Sequence, residues 1–344
     1  MNRSDSLAQS DLPPARASTW AWVKRGVGLA FLLLVVVMIV RYARNVDWDE
    51  VWASVRALPL TVIAQAAVFA AASHMLYSCF DLFGRRYTGH GVPAHRTMQI
   101  AFISYAFNLN MGSTVGGIGM RLRLYCALGL CAPDVARILT LSMVTNWLGA
   151  MVLAGGFSTF SPLALPPHWK LDSDGLQMLG VALLALVIVY LALCGGSRRR
   201  SWTVRGHTIE LPPWRMALLQ VAISAANWMT IAAVIWSLLQ GRVDYADVLS
   251  VLLLAAMAGL IVRVPAGLGV LEAVFLALLS HRVPEGQLLG ALLAYRAIYY
   301  IAPLAVAAVL YLLTEAHARR QRVTASPQKV RVDSQSGMPA EPRK

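Results

Sequence analysis

Six stretches of the chain stay hydrophobic for long enough to cross a bilayer as helices: residues 21–40, 59–80, 134–156, 176–194, 215–239 and 287–313. About 20 residues, rising about 1.5 Å each, cover the roughly 30 Å of hydrocarbon. Two further apolar segments differ, because glycine-rich sequence cuts each into two arms. Gly112-Ser-Thr-Val-Gly-Gly-Ile-Gly119 separates 97–111 from 120–130, and Arg263-Val-Pro-Ala-Gly-Leu-Gly269 separates 248–262 from 270–280. No single arm reaches across the bilayer, so 97–130 and 248–280 are each expected to form a re-entrant helical hairpin. The alternative is short tilted crossings, giving eight or more spans. Non-helical backbone at membrane depth survives only where protein covers it or it lines a wet cavity. Paired broken segments in matching halves of a chain point to a transporter's binding site.

Composition supports the same class. The chain is 58% hydrophobic and 14% charged, with a mean hydropathy of +0.59, against roughly 25% charged residues in a soluble domain. A net charge of +13 would suit nucleic acid, but the basic residues flank hydrophobic spans, so the expected partner is a membrane surface and not nucleic acid. With the N-terminus inside, the cytoplasmic segments 1–25, 81–98, 195–215 and 314–344 hold 19 of the 30 Lys and Arg. The outer segments 41–58, 157–175, 240–247 and 281–287 hold 6. This asymmetry fits the positive-inside rule, and tryptophans near the proposed interfaces fit an aromatic belt. The order span, span, hairpin, span then occurs twice, in 21–156 and in 176–313, with the second copy entering from the opposite side. The expected fold is an all-α integral membrane protein: six full spans plus two oppositely oriented re-entrant hairpins in an inverted-topology repeat. A cytoplasmic tail over 1–20, an outer loop over 157–175 and a basic, disordered cytoplasmic tail over 314–344 complete it.

The first span follows Lys24-Arg25 but leads into Arg41-Tyr-Ala-Arg-Asn-Val-Asp rather than a small-residue cleavage site, so it reads as an anchor helix. Cys79, Cys126, Cys131 and Cys194 lack metal-ligand spacing and read as small buried hydrophobes. The sequence holds none of the nucleotide, zinc-protease, serine-hydrolase or phosphotransferase motifs. No cofactor, metal or catalytic residue is expected.

Four arginines within the hairpins and the last span do not belong in hydrocarbon: Arg121, Arg123, Arg263 and Arg296. Glu272 accompanies them. A charge at the bilayer centre costs roughly 2.5–3.5 kcal/mol even on the mild insertion scale, so these residues mark a pathway. If all are buried, their positive excess calls for an anion, and guanidinium groups suit a lipid phosphate through paired hydrogen bonds. The glycine-rich tips, Gly112, Gly116, Gly117 and Gly119 with Pro265, Gly267 and Gly269, would add backbone amides. Glu272 would gate by competing for an arginine or by taking up a proton. Asn108 and Asn110 would support a headgroup or cap the broken arm. The competing reading has Arg121 and Arg123 reaching to the headgroups and Glu272 in a structural pair with Arg263 or Arg296. His74, Gln65, Asn146 and Asn227 read as interhelical hydrogen-bond partners, and Tyr295 and Tyr299 as residues positioning Arg296.

Two segments, Gly116-Gly-Ile-Gly-Met-Arg-Leu-Arg-Leu-Tyr125 and Pro265-Ala-Gly-Leu-Gly-Val-Leu-Glu272, resemble the transmembrane region of lysylphosphatidylglycerol synthases. The likeness extends over most of 20–315 and is nearest to stand-alone bacterial inner-membrane members of that family. In the fused synthases this region is a lipid flippase, followed by a cytosolic aminoacyltransferase domain. The residues after the last span, 314–344, are too few for that domain, so lysyl transfer is not expected. The resemblance implies movement of a lipid between leaflets, either an anionic phospholipid or a polyprenyl or hopanoid-linked species, with Arg121, Arg123 and Glu272 carried over. Ala266 departs from the Gly-Gly that relatives often carry. Two rival readings are a non-transporting scaffold for a lipid-modifying enzyme, docked through Arg198-Arg199-Arg200, and an ion or small-solute channel.

Overall fold

The computed structural model describes residues 48–160, 173–196, 201–204, 207–262 and 269–317. The expected first span, the N-terminal tail, residues 318–344 of the C-terminal tail, most of the outer loop, Arg198, Arg199 and Arg200, and Arg263, Pro265 and Gly267 lie outside the described residues, whereas 314–317, expected in the disordered tail, continue the last helix.

A short helix, α1 (Trp48–Arg56), leads into α2 (Leu60–Ser78) and α3 (Phe80–Thr88), which together make one 29-residue apolar column. The first broken segment follows as α4 (Ala94–Met111), a π-helical turn (Ser113–Gly119) and α5 (Met120–Ala127). Then come α6 (Ala132–Phe160), α7 (Ser173–Gly196) and α8 (Trp214–Leu238). The second broken segment is α9 (Tyr245–Val262) and α10 (Val270–Leu279), and the chain continues into α11 (Glu285–His317), which carries a π-helical turn at Arg296–Ile301. Four of these helices, α2, α4, α8 and α11, begin directly after a proline, Pro59, Pro93, Pro213 or Pro284, with φ between −52° and −61°. Proline sets that φ and has no N–H to leave unsatisfied at a helix start.

Among the described residues five helices are long and apolar enough to cross a membrane: Leu60–Thr88, Ala132–Phe160, Asp174–Gly196, Trp214–Leu238 and Glu285–His317. They match the five expected spans that fall within the described residues. Their exposed apolar flanks, such as Met178, Val181, Ile188, Val309 and Leu312, suit a hydrocarbon solvent.

Where apolar helices gain nothing from leaving a hydrocarbon solvent, they associate through close packing and buried polar contacts. The crossing of α6 on α8 uses both. A Cβ on Gly149 would lie 2.3 Å from the Ser224 carbonyl carbon, so only glycine fits there. Beside it the Ser224 hydroxyl and the Trp228 indole N–H both donate to the Asn146 carbonyl, at 2.9 and 3.0 Å. One turn away Gln220 donates to Thr145 at 2.7 Å and accepts from Tyr190 of α7 at 3.0 Å. Asn146 thus contributes its backbone, not its amide, to the contact.

Three local expectations change. Helix α3 runs to Thr88, where a cytoplasmic loop was expected from residue 81. The first arm of each broken segment is 18 residues long, about 27 Å at the helical rise, while the second arms remain short. Within the basic segment 195–215 the strands Ser201–Val204 (β1) and His207–Glu210 (β2) pair antiparallel, with Ser201 opposite Glu210 and Val204 opposite His207.

Candidate functional site: a tyrosine-lined cavity beside two helix breaks

At the first break, Gly112 adopts φ +83°, ends α4 by donating to the Asn108 carbonyl at 2.9 Å, and turns the chain back. The returning π-helical turn lies directly on α4. A Cβ on Gly116 would fall 2.1–2.4 Å from the backbone of Phe107 and Asn108, so the hairpin closes only because that residue has no side chain. Asn110 donates to Ala106 O at 2.8 Å and across to Tyr300 O at 3.1 Å. The amide therefore ties the first break to the π-helical turn of α11, a conformation in which helices often carry functional residues.

At the second break, Gly269 adopts φ +79° and its N–H donates to the Glu272 carboxylate at 3.1 Å. Glu272 thereby holds the first turn of α10. Between the two breaks lies a cavity of about 280 Å³. Tyr105, Asn108 and Leu109 from the end of α4 form one wall, and Leu252, Ala255, Ala256 and Gly259 of α9 with Val270 and Leu271 of α10 form another. Trp228 and Ile231 of α8 and Tyr295, Tyr299 and Tyr300 of α11 close it.

A line of hydroxyls leads away from the cavity. Ser73 donates to Asn227 Oδ1 at 2.8 Å and lies 2.7 Å from the Tyr299 hydroxyl, which is 3.0 Å from that of Tyr105. Each hydroxyl has one proton to give, so the order is fixed: Tyr105 donates to Tyr299, Tyr299 to Ser73, and Ser73 to Asn227. The His74 ring stands against Tyr299 and Tyr105, with centroids 4.7 and 5.3 Å away.

The expected excess of positive charge is absent among the described residues, because each described arginine of the set has a carboxylate partner. Arg121 is 1% exposed, and its Nε and Nη2 donate to the two oxygens of Asp81, both at 3.1 Å. Tyr125 donates to Asp81 at 3.0 Å, and Arg121 also reaches the Gly117 carbonyl and the Ser142 hydroxyl, both at 3.4 Å. Arg296 pairs with Glu272 through Nε to Oε1 and through Nη2 to Oε2 at 3.0 Å, and its guanidinium lies over the Tyr300 ring, 5.2 Å from the centroid. These two side chains keep 13% and 16% exposure. Arg123 is 59% exposed, pairs with Glu315 at 3.4 Å and rests on Tyr311. Arg296 and Glu272 therefore stand beside the cavity, next to its lining residues Tyr295, Tyr300 and Leu271, whereas Arg121 and Arg123 do not neighbour that lining in sequence and pair with Asp81 and Glu315. Cys194 is buried and Cys79 half-buried, but Cys126 and Cys131 are exposed rather than core hydrophobes.

Outside the spans, the His90 imidazole packs edge-on against Tyr125, centroids 6.0 Å apart, and accepts from Val92 N–H at 3.2 Å. Burial, reinforced by Arg85, holds its pKa below the ordinary value. Sequence reasoning missed Asp81, which lay in the expected loop, and, beyond Tyr295 and Tyr299, the rest of the tyrosine cluster, Tyr105 and Tyr300. The spacing Tyr295, Tyr299, Tyr300 on one apolar helix was the available signal for the cluster.

Five long apolar columns, two glycine-broken helix pairs and a tyrosine-lined cavity between them define a multi-pass helical membrane protein. The chain belongs to the family described as lysylphosphatidylglycerol synthase TM region, which it matches over residues 26–307. It is 44% identical to the inner membrane protein YbhN of Escherichia coli (strain K12) over 304 residues, covering 88% of this chain and 96% of that protein. It is 29% identical to an uncharacterized protein of Synechocystis sp. over 303 residues, 86% and 94% of the two chains. A phosphatidylglycerol lysyltransferase of Staphylococcus haemolyticus is 33% identical over 92 residues, 26% of this chain and 11% of that enzyme.

Proposed function

We propose that this chain is a lipid translocase of the bacterial inner membrane. A polar headgroup enters the cavity between the two helix breaks while the acyl or prenyl chains stay in the bilayer. The observation that carries this reading is the cavity itself. It is lined by four tyrosines, Trp228 and Asn108, with Asn108 and Leu109 just before Gly112 and Val270 and Leu271 just after Gly269, both glycines having positive φ, at the kind of break that houses transporter sites. Family membership and the similarity to YbhN support a membrane lipid as cargo and the inner membrane as the location. The two broken segments are read as oppositely oriented re-entrant hairpins of an inverted repeat, with α2 and α8 as equivalent helices in contact with each other.

In this reading Arg296 is the described cation that meets a phosphate, and Glu272 releases it. The pair gates because the carboxylate and an incoming phosphate compete for one guanidinium. Arg263 stays in the proposed site from its place at the second break. Arg121 acts by fixing the first hairpin against α3 through Asp81, and Arg123 acts at the rim. The test is exchange of a fluorescent phosphatidylglycerol between leaflets of proteoliposomes. Arg296→Gln and Glu272→Gln are each expected to slow exchange at least tenfold; exchange equal to wild type in both would remove this site. The β1–β2 pair, which follows Arg198-Arg199-Arg200 in the sequence, favours a second reading, a docking platform for a lipid-modifying enzyme. That reading gains if substitution of the three arginines abolishes function while the cavity variants keep it.

A further inference from the structure

Among the described residues His74 is the histidine packed against Tyr105 and Tyr299 of the tyrosine cluster. It is 2% exposed. Its Nδ1 lies 2.9 Å from the Ala70 carbonyl, which can only accept, so Nδ1 carries a proton and Nε2 of the neutral ring is a bare acceptor. Nε2 is buried and has no hydrogen-bond partner, as is true of Asn227 Nδ2 at the far end of the hydroxyl line. Buried polar atoms are nearly always satisfied, and an orphan marks either water or a functional state absent from the resting structure.

The surroundings decide which charge state His74 can adopt. From its own helix the ring meets the Ala70 carbonyl, while the Ser78 hydroxyl donates to the His74 backbone carbonyl. From α4 it faces Phe102 and Tyr105, and from α11 Tyr299, while α8 contributes Asn227 through Ser73. Among the described residues the ring's contacts are all with uncharged groups; the nearest carboxylate along the helix, Asp81, is held by Arg121. A lone imidazolium there would be a buried, uncompensated charge. Aromatic faces, centroids 4.7–5.8 Å away on three sides, ease that cost only in part. An anion in the cavity changes this balance, since Tyr105 and Tyr299 separate the ring from it by one side-chain layer and both line the cavity.

We infer that His74 is a proton-binding site coupled to the cavity, so that entry of an anionic headgroup is accompanied by proton uptake at Nε2 and the pair moves as a net-neutral load. Nδ1–H keeps its bond to Ala70, and Nε2, the ring nitrogen without a partner, takes the new proton. Linkage is reciprocal: the anion favours the proton, and the proton favours the anion by the same factor. Anion binding therefore strengthens as pH falls, by up to about tenfold per pH unit while one proton is taken up.

This inference rests on the cavity being the headgroup site, and one titration separates the two. Short-chain phosphatidylglycerol, whose phosphodiester does not titrate near neutrality, is added to the purified full-length protein in two buffers of different ionisation enthalpy. The expected result is uptake of about one proton per lipid bound, lost in His74→Gln and in His74→Phe and kept in His90→Gln. Binding by the wild type without proton uptake overturns the inference and leaves the cavity reading standing. Uptake that persists in a folded His74 variant overturns it as well. Absence of any binding, with Gly259→Trp indistinguishable from wild type, removes the cavity reading and the inference with it.

Discussion

Two arginine–carboxylate pairs inside this chain use the same groups to different ends. Arg121 and Asp81 are 1% and 0% exposed, and Tyr125, Gly117 and Ser142 take up further hydrogen-bonding capacity around them. Arg296 and Glu272 keep 13% and 16% exposure beside the cavity, and Glu272 also serves the start of α10. A fully buried pair that satisfies itself cannot exchange partners without leaving a bare charge behind. A partly wet pair next to open volume can. The first is a lock that sets the hairpin on α3; the second is placed to open.

The largest effect that would break this contrast is at the lock. Asp81→Ala strands the Arg121 charge and is expected to destabilise the protein by about 3–5 kcal/mol, read as a fall in thermal midpoint or loss of folded protein from membranes. Combining Asp81→Leu with Arg121→Met should recover most of that loss, since a buried pair is often replaceable by apolar residues of similar size. At the wet pair, Glu272→Gln removes charge-assisted bonds worth roughly 1.5–3 kcal/mol, so it should cost less stability than Asp81→Ala and more transport.

Gly116→Ala pushes a methyl into the α4 backbone. Overpacking of this kind costs typically about 1–3 kcal/mol, and opening of the hairpin should appear as faster amide exchange over 108–119. Tyr299→Phe interrupts the hydroxyl line for about 0.5–1.5 kcal/mol while leaving the ring contacts in place. The smallest change is at the rim: Arg123→Gln breaks an exposed pair worth roughly 0–1 kcal/mol, so its stability should match the wild type and its loss should depend on salt.

Much of this architecture was written locally in the sequence. Uninterrupted hydrophobicity marked the five described spans, and glycine density marked the position where Gly112 and Gly116 reverse the chain, because both signals sit within one element. Pairing of Glu272 with Arg296 was one of the readings left open. What stayed hidden depends on distant residues. Asp81 lies 40 positions from Arg121, in a polar stretch, Asp81-Leu-Phe-Gly-Arg-Arg-Tyr-Thr88, that reads as a loop until tertiary packing extends the helix through it. The charge count behind the expected anion site therefore included Glu272 but neither Asp81 nor Glu315. The hydroxyl line joins residues 73, 105, 227 and 299 from four helices, each of which alone looks like an isolated polar residue on an apolar face.

Filling the cavity tests its role most directly. Gly259 lines it, and a Cβ added there meets nothing within 4 Å, so a larger side chain at this position starts in open space and Gly259→Trp is the filling variant. Leaflet exchange of fluorescent phosphatidylglycerol in proteoliposomes should fall at least tenfold in Gly259→Trp, with Gly259→Ala equal to wild type and all three equally stable. Undiminished exchange in a folded Gly259→Trp protein would contradict the claim that the headgroup passes between the two breaks.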